Sequence, residues 1–139
     1  MNNVIDIIRN NTILLCKHYP NIIAVLLVGS YARNKQKEGS DIDLVIIAEE
    51  KEKLIIEDKW INIFGEPKEK TLEEWGEIKS IRVKYKEYEI EFGIGTRKWI
   101  RIPLDKGTEK VLRDGYIILF EKENSLENIK KVVEEKEFV

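Results

Sequence analysis

The pattern of apolar and polar positions in the first half of the chain predicts alternating helices and strands. Residues 4–19 carry apolar side chains at helical spacing among polar ones. Residues 22–28 form a continuous apolar run, which is typical of a strand buried on both faces. A second run of this kind, at 41–48, is apolar after its two acidic residues. Residues 49–64 then predict a helix that ends at Gly65.

The second half of the chain continues the pattern with two consecutive strands. Residues 78–85 and 88–94 are rich in β-branched and aromatic side chains and predict a hairpin. The remaining predicted elements are a short helical piece at 96–101, a helix at 108–113, a strand at 116–120 and a helix capped by Ser125. This order predicts one α/β (α+β) domain over residues 1–139, with a small mixed β-sheet flanked by helices.

Composition narrows the function classes. The chain has 139 residues, 42% apolar and 36% charged, with a formal net charge of −2. A neutral balance gives no basic surface for non-specific nucleic-acid binding. One cysteine and one histidine exclude an internal disulfide and disfavour a zinc site or a Cys-His catalytic pair. No apolar run is long enough to span a membrane. We therefore expect a cytoplasmic protein with no membrane partner.

Paired acids at the start of the second apolar strand carry the chemistry. Asp41 and Asp43 are two residues apart, so the period of a strand places both carboxylates on one face. Two adjacent carboxylates repel each other unless a cation joins them, and Mg²⁺ prefers such oxygen ligands. A third acid should come from a neighbouring strand, where Glu89 and Glu91 also share a face. Periodicity alone does not separate these two glutamates. Arg82 can pair with a carboxylate or a phosphate on the same face.

A turn precedes the paired acids by ten residues. Gly29 lets a phosphate approach the backbone closely, and Ser30 adds a hydroxyl donor. A short helix predicted at 31–35 would offer its amides to the same anion. A phosphate site beside paired acids serves two-metal phosphoryl transfer, with ions about 3.5–4 Å apart. Arg33, Lys35 and Lys37 lie in the following loop, where exposure to solvent is their ordinary state.

Two motifs, Val28-Gly29-Ser30 and Asp41-Ile42-Asp43, resemble the signature of a known superfamily. It contains DNA polymerase β, kanamycin nucleotidyltransferase and the minimal nucleotidyltransferases. The resemblance implies a polymerase β-type nucleotidyltransferase fold. It also implies that Asp41 and Asp43 hold two Mg²⁺ ions and that Gly29 and Ser30 bind the phosphates of an NTP. Family members often have glycine where this chain has Asn34, and asparagine tolerates a left-handed conformation.

The same resemblance assigns the third carboxylate. Glu91-Phe92-Gly93-Ile94 is similar to the strand of the family that carries its third acid, so we prefer Glu91 to Glu89. Glu91 would be a metal ligand or the base that activates the acceptor.

The resemblance implies a Mg²⁺-dependent nucleotidyltransferase that moves a nucleoside monophosphate, AMP from ATP by preference, to an acceptor hydroxyl and releases pyrophosphate. The acceptor is a small molecule, a protein or an RNA. Its site would be built by the C-terminal region, by the second subunit of a homodimer or by a partner protein. The alternative is an antitoxin-type or degenerate nucleotide-binding module that acts with a partner protein.

Overall fold

The computed structural model of the chain describes residues 3–135, which form a six-stranded sheet with helices on both faces. The strands are β1 (Ile22–Val28), β2 (Ile42–Ala48), β3 (Glu69–Trp75), β4 (Ile78–Lys84), β5 (Glu89–Gly95) and β6 (Ile117–Glu121). The α-helices are α1 (Asn3–His18), α2 (Gly29–Ala32), α3 (Lys51–Ile56), α4 (Lys106–Asp114) and α5 (Glu127–Glu135). Two 3-10 helices, Asp58–Phe64 and Arg97–Ile100, complete the described elements.

The strand order is β3-β4-β5-β2-β1-β6, and the sheet is mixed. Strands β2 and β5 are parallel, whereas every other neighbouring pair is antiparallel. The predicted fold class is therefore confirmed. Residues 1–2 and 136–139 lie outside the described chain, so the assignment of residues 1–139 to one domain stays a prediction.

One face of the sheet packs against α1, α3 and the first 3-10 helix. Leu15 of α1 is fully buried there together with the strand residues Leu44 and Phe92. The Phe92 ring makes edge contacts with Trp60, at 4.9 Å between ring centroids, and with Phe64, at 5.0 Å. Edge-to-face packing of buried rings stabilises a fold beyond the burial of their area. This aromatic cluster therefore stabilises the packing of the first 3-10 helix on this face of the sheet.

The other face packs against α4, α5 and the second 3-10 helix. Leu112 of α4 and Ile129 of α5 are buried against the sheet. Helix α4 begins after Asp105, whose carboxylate accepts the Gly107 and Thr108 amides and so caps the helix. The predicted cap of α5 differs. The Ser125 hydroxyl donates to the Lys122 carbonyl, and Glu121 accepts the Leu126 amide instead.

Residues 49–64 and 69–75 differ from the sequence predictions. Residues 49–64 form two helices rather than one, because the chain turns at Glu57 (φ −106°, ψ 80°). The buried indole N–H of Trp60 donates to the Leu54 carbonyl at 2.8 Å, which satisfies the end of α3. Strand β3 was not predicted at all. It pairs with β4 through a two-residue turn at Gly76-Glu77, with Trp75 opposite Ile78.

Candidate active site

Asp43 and Glu91 are register partners on the parallel strands β2 and β5. On each strand the residues on either side of the acid are buried apolar side chains: Ile42 and Leu44, Ile90 and Phe92. Because side chains alternate along a strand, burying these four residues on one face places both carboxylates on the other. The sheet thus fixes the relative position of the two acids.

The environment of Asp43 disfavours its negative charge. Burial, together with the neighbouring Glu91 carboxylate, raises the pKa of Asp43 to about 7, and Asp41 adds to the effect. In its protonated form the Asp43 carboxyl hydrogen-bonds Glu91. A cation bound beside such a carboxyl group favours its ionised form, because it offsets the repulsion from the second carboxylate.

Arg82 connects the acids of this face. It lies on β4 opposite Glu91. Within residues 3–135 its guanidinium reaches four carboxylates. Nη1 donates to Asp41 Oδ2 at 2.6 Å and to Glu89 Oε2 at 3.1 Å. Nη2 lies 3.3 Å from Glu91 Oε1, and Nε lies 3.6 Å from Glu73 Oε1. The pairing of Arg82 with the acidic face, considered from the sequence, is confirmed.

Gly29 lies directly against Asp43. Its φ of +75° is a left-handed conformation, and a Cβ atom there would overlap with Asp43 Oδ2 and lie 3.1 Å from Asp43 Cγ. Only glycine both adopts this conformation without strain and lacks the Cβ atom that would overlap with Asp43. Gly29 and Ser30 begin α2, a single turn that starts earlier than the predicted helix at 31–35. Asn34 has a φ of 57°, which is the left-handed conformation that asparagine tolerates.

A cavity of about 520 Å³ opens beside these residues. Gly29, Asp43 and Glu91 line one end, whereas the predicted residues Ser30 and Asp41 are outside its lining. Its apolar part is lined by Val45, Ile78, Trp99 and Val111. Arg33 and Asp105 also border it. This volume is in the range of small-molecule sites, and an apolar cavity with a few polar groups at one end is typical of them.

The donor chemistry of the acids fits a hard divalent cation, since Mg²⁺ is usually held by one or two carboxylates together with substrate phosphates. Their present arrangement is not a complete metal cage. Among residues 3–135, no group of three or more His, Cys, Asp or Glu side chains is placed to hold a metal ion. Asp41 is instead hydrogen-bonded to the Arg82 guanidinium.

The family model described as polymerase beta, nucleotidyltransferase, matches residues 10–91. This range is more than half of the chain and includes Gly29, Ser30, Asp41, Asp43 and Glu91. The chain belongs to this nucleotidyltransferase family. The family assignment agrees with the suspected superfamily and supports a transferase-type domain.

Two solved structures illustrate how distant the similar folds are. An aminoglycoside 6-adenyltransferase from Bacillus subtilis is 14% identical, with a TM-score of 0.44, over 56% of this chain and 30% of that one. A toxin–antitoxin solved with AMP-PNP is 13% identical, with a TM-score of 0.49, over 94% of this chain and 88% of that one. This nucleotidyltransferase domain thus spans less than a third of the adenyltransferase. No curated protein sequence matches the chain significantly.

Sequence reasoning missed Glu73, because it missed strand β3. The signal that could have found it is Gly76-Glu77, a two-residue turn with glycine first, which is typical of tight hairpins. Trp99 is half-buried and lines the cavity. No helix in the described part of this nucleotidyltransferase is long and apolar enough to cross a membrane.

Proposed function

We propose that this chain transfers a nucleoside monophosphate, AMP from ATP in the first instance, to an acceptor hydroxyl and releases pyrophosphate. The observation that carries the proposal is the position of the Asp43–Glu91 pair. Asp43 lies against the Gly29 backbone, and both carboxylates line a cavity of about 520 Å³. Carboxylates can bind the metal ion, the glycine turn can bind the phosphates, and the apolar cavity can bind the nucleoside.

Each predicted site residue has a role in this proposal. The Gly29 backbone, which lies against Asp43, and the Ser30 hydroxyl would bind the phosphates of the NTP. Asp41 and Asp43 would hold two Mg²⁺ ions, and Glu91 would be a further metal ligand or the base that activates the acceptor. Bound there, the ions supply positive charge to the transferring phosphoryl group and lower the pKa of the acceptor hydroxyl. Arg33 borders the cavity near Gly29, where a guanidinium can pair with the outer phosphates.

The nucleoside occupies the apolar part of the cavity. Val45, Ile78 and Trp99 form its walls, and the Trp99 ring can pack against a base. Asp105 lies at the border, with one oxygen accepting the α4 amides. Excluding water from this part of the site strengthens the electrostatic contacts at the polar end.

The proposed reaction is an in-line displacement. The acceptor oxygen forms a bond to the α-phosphorus, and the bond from that phosphorus to the bridging oxygen of pyrophosphate breaks. The proton of the acceptor hydroxyl passes to the Glu91 carboxylate, whose contact with Asp43 keeps it at the polar end of the cavity.

Titration calorimetry with a panel of NTPs, with and without Mg²⁺, tests the proposal. We expect Mg²⁺-dependent binding of one NTP and pyrophosphate release once an acceptor is supplied. The Asp41→Asn/Asp43→Asn variant should lose binding by about 100-fold or more, since several kcal/mol of metal-mediated charge stabilisation disappear. Retained turnover in Asp41→Asn would contradict the metal assignment. Absence of NTP binding by the folded wild type would contradict the function.

A matched pair of variants tests the choice of third acid. Glu91 and Glu89 lie on the same face of β5 and both contact Arg82, but only Glu91 is the register partner of Asp43. We expect Glu91→Gln to reduce pyrophosphate release by about 100-fold or more and Glu89→Gln by less than about tenfold. The reverse order would assign the role to Glu89.

The second candidate function is a nucleotide-binding module that acts through a partner protein. One observation favours it: Ile7 and Leu14, two turns apart on α1, are 47% and 46% exposed. NTP binding without pyrophosphate release, across small-molecule, protein and RNA acceptors, would favour this alternative over the enzyme.

A further inference from the structure

We propose that Arg82 is the counter-ion of the acidic cluster in the metal-free protein and releases Asp41 when a divalent cation binds. Arg82 would thereby set the metal affinity of the site. The inference rests on the proposed function, because it concerns the same carboxylates.

The charge balance of the site requires such a counter-ion. Asp41, Asp43, Glu73, Glu89 and Glu91 converge on one face of the sheet, and the guanidinium contacts four of them directly. The side chain of Arg82 is 30% exposed, so solvent screens these contacts only partly. Carboxylates this close together destabilise a fold unless a positive charge lies between them.

Asp41 is the partner that can leave. It precedes β2, which begins at Ile42, so its backbone is outside the ladder, and its side chain is 39% exposed. Glu89 and Glu91 are fixed in β5, directly across from the strand of Arg82. Once Asp41 turns away, the guanidinium keeps Glu73, Glu89 and Glu91 as partners. The release of Asp41 thus breaks one of the four Arg82 contacts and leaves the arginine paired with the other three carboxylates.

The geometry also explains why the residue is arginine. Nη1 serves Asp41 and Glu89, Nη2 serves Glu91, and Nε faces Glu73, so each edge of the planar group has its own carboxylate. A lysine ammonium carries the same charge on a single atom and lacks this fork. Charge and geometry can therefore be separated by comparing Arg82→Gln with Arg82→Lys.

The experiment measures Mn²⁺ affinity by calorimetry on chelator-treated protein without nucleotide, and thermal unfolding of the same samples. We expect Arg82→Gln to bind Mn²⁺ about tenfold more tightly than the wild type, or more, because a positive charge beside the cation is removed. Its metal-free form should unfold at a lower temperature, and saturating Mn²⁺ should restore most of the difference. Arg82→Lys should fall between the two proteins in affinity.

Lys84→Gln is the matched control. Lys84 is two residues along the same strand and face, and its ammonium pairs with Glu69 at 3.4 Å. This variant removes the same charge and should change Mn²⁺ affinity by less than about twofold. Circular dichroism confirms that each variant is folded.

The outcomes separate this inference from the proposed function. Equal or weaker Mn²⁺ binding by Arg82→Gln, with a wild type that binds Mn²⁺, overturns only the role of Arg82. An equal gain in Lys84→Gln also overturns it, because net charge rather than the Asp41 contact would then set the affinity. If the wild type binds no Mn²⁺, with or without NTP, the proposed function fails and this inference fails with it.

Discussion

The two faces of the β2–β5 pair carry opposite kinds of residue on one backbone ladder. On one face Leu44 and Phe92 are buried in an apolar layer with Trp60. On the other face the acids Asp43 and Glu91 are register partners, and Glu91 pairs with Arg82. Because neighbouring residues on a strand point in opposite directions, the same segments stabilise the fold and build the candidate site. Substitutions on the apolar face should therefore lower stability at every pH, whereas those on the acidic face should change ligand binding and the dependence of stability on pH and metal.

The largest expected effect on stability is that of Phe92→Ala. Phe92 is 0% exposed and contacts the Trp60 and Phe64 rings, so removing its ring leaves a cavity that costs about 3–5 kcal/mol. Urea denaturation measures the change in free energy of unfolding. Leu72→Ala is the control, because Leu72 is 57% exposed on the edge strand β3, and it should cost less than about 0.5 kcal/mol. A loss below 1 kcal/mol in Phe92→Ala would contradict the role of this layer.

Gly29→Ala should have an intermediate effect, which combines a loss of stability with a loss of nucleotide binding. The left-handed backbone costs about 1–3 kcal/mol for alanine, and the added Cβ would also displace the Asp43 carboxylate. We expect loss of Mg²⁺-dependent nucleotide binding together with this loss of stability, measured by calorimetry and urea denaturation.

Gly76→Ala separates the two causes. Gly76 also has a positive φ, +60°, but among the described residues a Cβ there has no heavy atom within 4 Å. This variant should lose similar stability and keep nucleotide binding. If Gly29→Ala binds nucleotide as well as Gly76→Ala does, the close contact between Gly29 and Asp43 has no functional role.

The smallest expected effect is a pH-dependent increase in the free energy of unfolding of Asp43→Asn. The pKa of Asp43 is raised from 3.8 to about 7 by burial and by Glu91. Its stabilising contribution is therefore fully present below about pH 4 and is lost as the pH rises through 7. Asparagine does not ionise, so without metal the variant should exceed the wild type by roughly 1–2 kcal/mol at pH 8.

Urea denaturation of both proteins between pH 4 and pH 8, in the presence of a chelator, checks this expectation. Asp6→Asn, which removes an exposed carboxylate on α1, controls for the loss of a surface charge. A constant difference between Asp43→Asn and the wild type over this range would contradict a raised pKa.

The sequence predicted the parts of the fold that local patterns encode. Strands β1, β2 and β5 have continuous or alternating apolar positions, so periodicity predicted their places in the chain to within one residue and the face of the acids. Strand β3 lies at the sheet edge with Leu72 exposed, and a segment that buries little carries no such pattern. Next to the turn at Glu57, the Trp60 indole donates to the Leu54 carbonyl, a contact that no local propensity encodes.

In the candidate site, too, the sequence predicted what short motifs encode but not what strand pairing decides. The resemblance of Gly29-Ser30 and Asp41-Ile42-Asp43 to the family signature named the residues, and the match over residues 10–91 confirmed the family. The position of Glu91 rather than Glu89 beside Asp43 follows from the register of two parallel strands, which a sequence does not state. The metal and nucleotide roles of these residues stay predictions.

The parallel pairing of β2 with β5 has a consequence for folding. Strands β1 and β2 form one antiparallel unit, and β3, β4 and β5 form another, each joined by shorter connections than the path between them. The first unit contains Gly29, Asp41 and Asp43, whereas the second contains Arg82 and Glu91. Local pairings form before distant ones, because closing a longer loop costs more entropy. We therefore expect each unit to form with half of the acidic cluster, and the site to exist only after the two units have docked.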